Sequence, residues 1–223
     1  MDLLPYLKAM AERRASDLYF SSGAPVAMKV EGITSFVTQH GLTSGMPRDL
    51  AYSVMNDRQR AEFERELELD MAVSVEQLGR FRINVFMQRG EVAMVVRYIQ
   101  SVIPDVNALQ LPTLLNQLVM APRGLILVVG TTGSGKSTTL ASMIDYRNQH
   151  KSGHILTIED PIEYIHHHKK SIVNQREVGV DTHSFGHAMR RAMREAPDVI
   201  MVGEIRDRET MQQALSYAET GHL

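Results

Sequence analysis

The 223-residue sequence contains no cysteine and no tryptophan, and only 6% of its residues are aromatic. Without cysteine, structural disulfides and thiolate zinc sites are excluded. Charge of one sign is also missing. Lys+Arg number 24 and Asp+Glu 26, a formal net charge of −2, so the whole-chain basic footprint of a nucleic-acid binder is absent. Apolar runs such as Leu125 to Val129 fall far short of the roughly 20 residues a membrane-spanning helix needs. Met1-Asp2-Leu3-Leu4-Pro5 has no basic stretch leading into an apolar one, so no secretory signal is read there. The expectation is a cytoplasmic protein that meets a membrane only through partners.

What is present is average for a globular chain: 43% hydrophobic and 22% charged residues, which excludes disordered and collagen-like classes. The length suits one large domain or two small ones. Helical spacing runs over Leu3 to Arg14 and again over Arg48 to Glu66. Leu18 to Phe20, Val26 to Val30, Met71 to Val75, Arg80 to Met87 and Val92 to Ile99 read as strands, with Gly79 and Gly90 marking breaks. Helices followed by an antiparallel sheet predict a small α+β domain over 1–100. Residues 101–113, with Pro104, Asp105, Asn107 and Pro112, read as a linker.

From Leu114 the pattern changes. A helix over Leu114 to Met120 leads to a strand at Leu125 to Val129, then a glycine-rich turn and a helix from about Lys136. Ile155 to Ile158 and Asp198 to Val202 are further apolar strands. Helices are expected over Ser184 to Glu195, with Met189, Ala192, Met193 and Ala196 on its inner face, and over Asp207 to Glu219. Alternating strands and helices predict a mostly parallel, doubly wound sheet over 114–223.

Gly130-Thr131-Thr132-Gly133-Ser134-Gly135-Lys136-Ser137 fits G-x-x-x-x-G-K-[S/T]. Glycines let such a loop take positive φ and turn successive N–H groups onto phosphate oxygens. The helix that follows offers its positive end to the same anion. Thr132, Gly133, Ser134, Gly135, Lys136, Ser137 and Thr138 are therefore candidate nucleotide-binding residues, Lys136 for the β- and γ-phosphates and Ser137 for Mg²⁺. By residue frequencies the bare pattern arises by chance in roughly one chain of this length in a hundred, and the apolar strand before it and helix after it lower that further.

ATP hydrolysis also needs carboxylates near the metal and the attacking water. Two clusters lie at predicted strand ends, where ligands bind in open α/β sheets. One is Glu159-Asp160-Pro161-Ile162-Glu163; the other is Glu204, which follows Gly203 after the Asp198 to Val202 strand.

These residues resemble the secretion ATPase superfamily, and within it the type IV pilus retraction ATPases of the PilT/PilU family. The resemblance spans essentially all 223 residues. It is carried by Gly-Thr-Thr-Gly-Ser-Gly-Lys-Ser-Thr-Thr-Leu at 130–140 (Walker A), Thr-Ile-Glu-Asp-Pro-Ile-Glu-Tyr at 157–164 (the Asp box), Asn-Gln-Arg-Glu-Val at 174–178, Asp-Val-Ile-Met-Val-Gly-Glu-Ile-Arg-Asp at 198–207 (an atypical Walker B) and Ala-Glu-Thr-Gly-His-Leu at 218–223 (the start of the His box). Segments such as Met143 to Asn148 and Arg176 to Asp181 lean to the PilU side.

The resemblance implies a PAS-like domain over 1–100 joined to a RecA-like ATPase core over 114–223, with ATP between the two domains. It implies a homo-oligomeric ring, most often a hexamer, that uses ATP and Mg²⁺ to drive pilus retraction and twitching motility. Glu163 aligns with the family's catalytic base or water-orienting acid, and Glu204 with the acid near Mg²⁺ and the γ-phosphate. Arg82 and Arg97 match positions that supply positive charge to the phosphates, and His222 is the first His-box histidine. Implied partners are a PilT-type ATPase ring and an inner-membrane platform protein, with peripheral association at the inner membrane and no nucleic acid. The family continues past Leu223 through a second His-box histidine and a helical region. The expectation is therefore a truncated core with weakened stability, whose hydrolysis is open. A non-hydrolysing nucleotide-binding accessory subunit is the competing reading, and a P-loop enzyme acting on nucleic acid is disfavoured by the charge.

Other features read as structural. His166-His167-His168-Lys169-Lys170 is a polar loop rather than a metal site. The 14 methionines are core filler, and Arg190, Arg191 and Arg194 form an exposed helix face.

Overall fold

The computed structural model describes residues 2–99 and 101–223. Met1 and Gln100, the ends of the expected first domain, lie outside them. Two compact units result, one ending at Ile99 and the other running on to Leu223.

The N-terminal unit is built on one antiparallel sheet. Its strands are β1 (Asp17–Ser21), β2 (Ala27–Val30), β3 (Ile33–Phe36), β4 (Glu68–Val75), β5 (Gly79–Gln88) and β6 (Glu91–Ile99), in the spatial order β3-β2-β1-β6-β5-β4. Alternation sets the faces. In β5, Phe81, Ile83 and Val85 are buried while Arg82 and Asn84 between them are not. Arg89 and Gly90 join β5 to β6 with φ of 52° and 76°, the two positive values that a tight two-residue hairpin requires. Helices α1 (Leu4–Glu12), α2 (Met46–Tyr52) and α3 (Asp57–Glu66) cover the sheet, and Leu7, Met10, Phe20, Leu50, Phe63 and Phe81 share one core.

The single helix expected over Arg48 to Glu66 is two. Asn56 breaks it: its side chain accepts from the Gln59 N–H at 2.9 Å while Gln59 returns a bond to the Asn56 N–H at 3.0 Å. This reciprocal cap starts a new helix at Asp57. Strand β3 carried no clear apolar run; all four of its residues are exposed.

The C-terminal unit has a parallel sheet in the order β8-β7-β9, from β7 (Gly153–Glu159), β8 (Ser171–Glu177) and β9 (Val199–Val202). Its helices are α4 (Leu114–Val119), α5 (Lys136–His150), α6 (Phe185–Ala192) and α7 (Arg208–Glu219). The central strand β7 is buried on both faces from Ile155 to Glu159, with Thr157 and Glu159 as its buried polar residues. Leu156 and Ile158 pack with Ala188, Met189 and Ala214 of α6 and α7, while Ile155 packs with Ile144 of α5. Buried Arg147 on α5 donates to the carbonyls of Val119 and Ala121, tying down the end of α4. The stretch 101–113 contains a turn with buried Val106, closed by Leu109 N–H to Asp105 O at 3.1 Å.

Three expectations change here. Strand β8 was not anticipated, because Asn174, Gln175 and Arg176 interrupt its apolar pattern. The α6 helix ends at Ala192 and tightens into a 3₁₀ turn over Met193–Glu195, so Met193 and Ala196 point outward rather than to the core. The expected strand Leu125 to Val129 forms no ladder: among the described residues its backbone makes no hydrogen bonds, and Leu127 and Val129 are 54% and 89% exposed. A strand needs a partner as well as an apolar sequence. An apolar cavity of about 420 Å³, lined by this stretch and by β9, adjoins it. At its rim Leu223 pairs with β9, donating to Asp198 O at 3.2 Å and accepting from the Ile200 N–H at 2.8 Å.

Candidate functional site

Gly133 and Gly135 take φ of 78° and 90°, a region costly for residues with a side chain. At Gly130 a Cβ would lie 2.7 Å from Ser134 Oγ, a contact that rotation of the serine side chain relieves. The loop so formed delivers the chain into α5, whose first residue is Lys136. Lys136 Nζ donates to Thr131 O at 2.8 Å.

The loop faces a pocket of about 480 Å³. Of the expected binding residues, Thr132, Gly133, Gly135, Lys136, Ser137 and Thr138 line it, and so do both expected acids, Glu163 and Glu204. Ser134 is the expected binding residue of the loop that is absent from the lining; its hydroxyl sits beside Gly130. Glu163 stands on the segment after β7, which begins with a cis Asp160-Pro161 bond. Glu204 stands just past β9 and pairs with Arg206 at 2.9 Å. Gly203 before it lies against β7: its N–H donates to Ile158 O at 2.8 Å, and a Cβ would sit 3.3 Å from Glu159 Cα.

Two further candidates belong to the N-terminal unit. Arg82 and Arg97 are cross-strand partners in β5 and β6 of the N-terminal unit, Arg82 3.4 Å from Asp70 and Arg97 2.8 Å from Asp17. His222 is not among the lining residues. Its ring lies near Tyr217, and its carbonyl accepts from the Gly124 N–H at 3.0 Å.

The walls hold further groups, among them Glu159 of the expected acidic cluster and, not singled out from the sequence, Tyr164 and Gln175. Tyr164 OH lies 3.2 Å from Thr138 Oγ1, linking the acid-bearing segment to α5. Gln175 on β8 donates to Tyr164 O at 2.8 Å and to Glu159 Oε1 at 3.1 Å, and accepts from the His166 N–H at 2.7 Å. Burial raises the pKa of Glu159, against hydrogen bonds from Thr157 and Gln175 that favour its charge. Burial pushes His166 down to about 4, so its imidazole is neutral at neutral pH. The alternation of polar Thr157, Glu159, Gln175 and Glu177 on adjacent strands was the available signal.

Among the described residues, no group of three or more His, Asp or Glu side chains is placed to hold a metal ion unaided. The oxygens in the pocket, the Ser137 hydroxyl and Glu204 carboxylate, are nonetheless the hard donors that Mg²⁺ takes together with substrate phosphates. No helix among the described residues is long and apolar enough to cross a membrane.

A family model described as Type II/IV secretion system protein matches residues 4–223. The chain belongs to that family. It is 49% identical over all of its 223 residues to the type IV pilus ATPase PilU of Pseudomonas aeruginosa, and 47% identical to the retraction ATPase PilT of the same organism. It spans 58% and 65% of those relatives' lengths. The crystal structure of the pilus retraction motor PilT with bound ADP superposes with a TM-score of 0.93 at 52% identity, covering all of this chain and 65% of that one. The Legionella pneumophila ATPase DotB follows at a TM-score of 0.81 and 28% identity, over 99% of this chain and 63% of that one. The α/β fold of this family member thus matches the PilT structure.

Proposed function

We propose that this chain binds ATP with Mg²⁺ and hydrolyses it as the motor portion of a type IV pilus retraction subunit. The observation that carries the reading is the convergence of the glycine loop, Lys136, Ser137, Glu163 and Glu204 on one pocket. Backbone N–H groups of the loop and the start of α5 bind the phosphates, with Lys136 moving from Thr131 O to the β- and γ-oxygens. Ser137 and Glu204 are the residues to hold Mg²⁺, which when bound neutralises charge in phosphoryl transfer. Glu163 orients the attacking water or accepts its proton. The parts proposed for Arg82, Arg97 and His222, the first two meeting phosphate charge, rest on the family resemblance.

The same resemblance supports a PAS-like N-terminal domain ahead of a RecA-like core. It also supports assembly into a homo-oligomeric, hexameric ring that engages a PilT-type ring and an inner-membrane platform protein from the cytoplasmic side.

The test is phosphate release from Mg²⁺-ATP, with oligomeric state recorded on the same sample. Lys136→Ala is expected to lose ATP binding with its circular dichroism unchanged; unchanged binding overturns the reading. Glu204→Ala is expected to keep ATP but lose turnover by about 10²-fold or more.

The unpaired Leu125 to Val129 stretch leading into the loop favours a second reading, a nucleotide-binding accessory subunit without turnover. ATP bound without phosphate release, together with co-elution with a PilT-type ring, decides for it.

A further inference from the structure

Among the described residues, the cationic side chains lining the pocket are Lys136 and Arg206, set against the carboxylates of Glu159, Asp160, Glu163 and Glu204. Both cations are engaged by the protein's own oxygens. Lys136 Nζ donates to Thr131 O at 2.8 Å, and Arg206 Nη2 lies 2.9 Å from Glu204 Oε2. The backbone that carries the second pair is anchored on either side. The Gly203 N–H donates to Ile158 O at 2.8 Å, and Asp207 caps α7 by accepting from the Thr210 N–H at 2.7 Å. Between these anchors the Arg206 side chain is 76% exposed and that of Glu204 29%. An ion pair so open to solvent adds little to stability and is readily traded for another. A polyphosphate that enters among these carboxylates needs every cation the walls can supply.

Position selects which phosphate Arg206 meets. A glycine loop of this kind cradles the α- and β-phosphates, and its lysine reaches the β and γ. Arg206 comes instead from the end of β9, on the segment that carries Glu204. A guanidinium offers a phosphate the same two-pronged donor that it offers a carboxylate. We propose that Arg206 changes partner when ATP binds, leaving the Glu204 carboxylate for the γ-phosphate. The exchange meets the terminal charge and at once releases the Glu204 oxygens for Mg²⁺. ADP has no γ-phosphate and leaves the pair closed, so Arg206 sets the preference for ATP over ADP. The proposal rests on the reading of this pocket as the Mg²⁺-ATP site and names the residue that recognises the terminal phosphate there.

Equilibrium affinities of the full chain for ADP and for the slowly hydrolysed analogue adenylyl imidodiphosphate test it, by titration calorimetry with Mg²⁺ present. Arg206→Gln is expected to weaken the analogue by about tenfold or more. Its affinity for ADP should stay within about threefold of wild type, with circular dichroism unchanged. Arg206→Lys, which keeps the charge without the fork, should fall between. The same titrations without Mg²⁺ report the exchange itself. Glu204→Gln loosens the hold on Arg206, so it should tighten the analogue by about threefold more when Arg206 is present than in the Arg206→Gln background. Equal losses for ADP and the analogue in Arg206→Gln, or no loss, overturn the proposal. So does a Glu204→Gln gain that is the same in both backgrounds. A wild-type chain that binds neither nucleotide overturns the nucleotide reading and this one with it. One that binds both but releases no phosphate overturns the hydrolysis reading alone, and the affinities then decide this one.

Discussion

The two units draw on the same aliphatic residues and make sheets of opposite character. In the N-terminal unit consecutive strands pair through turns, β1 with β2, β2 with β3, β4 with β5 and β5 with β6, and a single distant pairing, β1 with β6, joins the two sets. In the C-terminal unit strands meet across helices, and Leu125 to Val129, as apolar as β9, stays outside the ladder. An antiparallel hairpin completes itself from consecutive sequence, whereas every pairing of a parallel sheet, like the one between β1 and β6, waits for segments separated in the chain. Local pattern therefore suffices to build the two three-stranded halves of the first unit's sheet, β1 to β3 and β4 to β6, and only to nominate the strands of the second.

The sharpest way to break this contrast is to truncate one apolar side chain in each unit. Phe81→Ala, fully buried in the antiparallel sheet, should cost about 3–5 kcal/mol in urea unfolding. Leu127→Ala, in the unpaired stretch and 54% exposed, should cost less than about 1 kcal/mol. Equal losses would mean that Leu125 to Val129 packs as a strand in solution.

Acid should act on the second unit. His166 is buried with its Nδ1 unpartnered, and its pKa of about 4 lies below the ordinary 6.5. Its neutral form is the one the fold favours. Stability from this group is thus complete above pH 6.5 and lost as pH falls toward 4, by about 3 kcal/mol in all. Hydrogen exchange measured across that window should show α5 and β8 loosening, and His166→Gln should flatten the response.

The smallest effect returns to the first unit. Asn56→Ala removes the reciprocal cap that separates α2 from α3 and should cost about 1 kcal/mol, read as a lowered urea midpoint. Asn56→Ser, which restores an acceptor, should recover most of it.

The same contrast explains what could be read from residues alone. The five N-terminal strands other than β3 were legible because their alternation or turn residues are local. β3 was not, since none of its side chains is buried. The helix break at Asn56 was hidden because apolar spacing continues across it, and only the Asn56/Gln59 pair signals a new start. At the site, the glycine loop and both acids were legible because close approach to phosphate restricts residue type. Glu159 was legible as one acid of its cluster, but its contacts, like Gln175 and Tyr164, were not, because they depend on which strands become neighbours: Gln175 touches Glu159 only once β8 has joined β7. His166 sat inside a run of three histidines, and nothing in that run marks the one that folds inward.

The stretch Leu125 to Val129 also governs how this polypeptide behaves at high concentration. Its carbonyls and amides are unclaimed and Leu127 and Val129 stand in solvent, so it is a ready template for backbone pairing between molecules. No lysine, aspartate or proline interrupts it to discourage that. Pairing of this stretch between molecules is the expected route by which the chain loses monodispersity as its concentration rises.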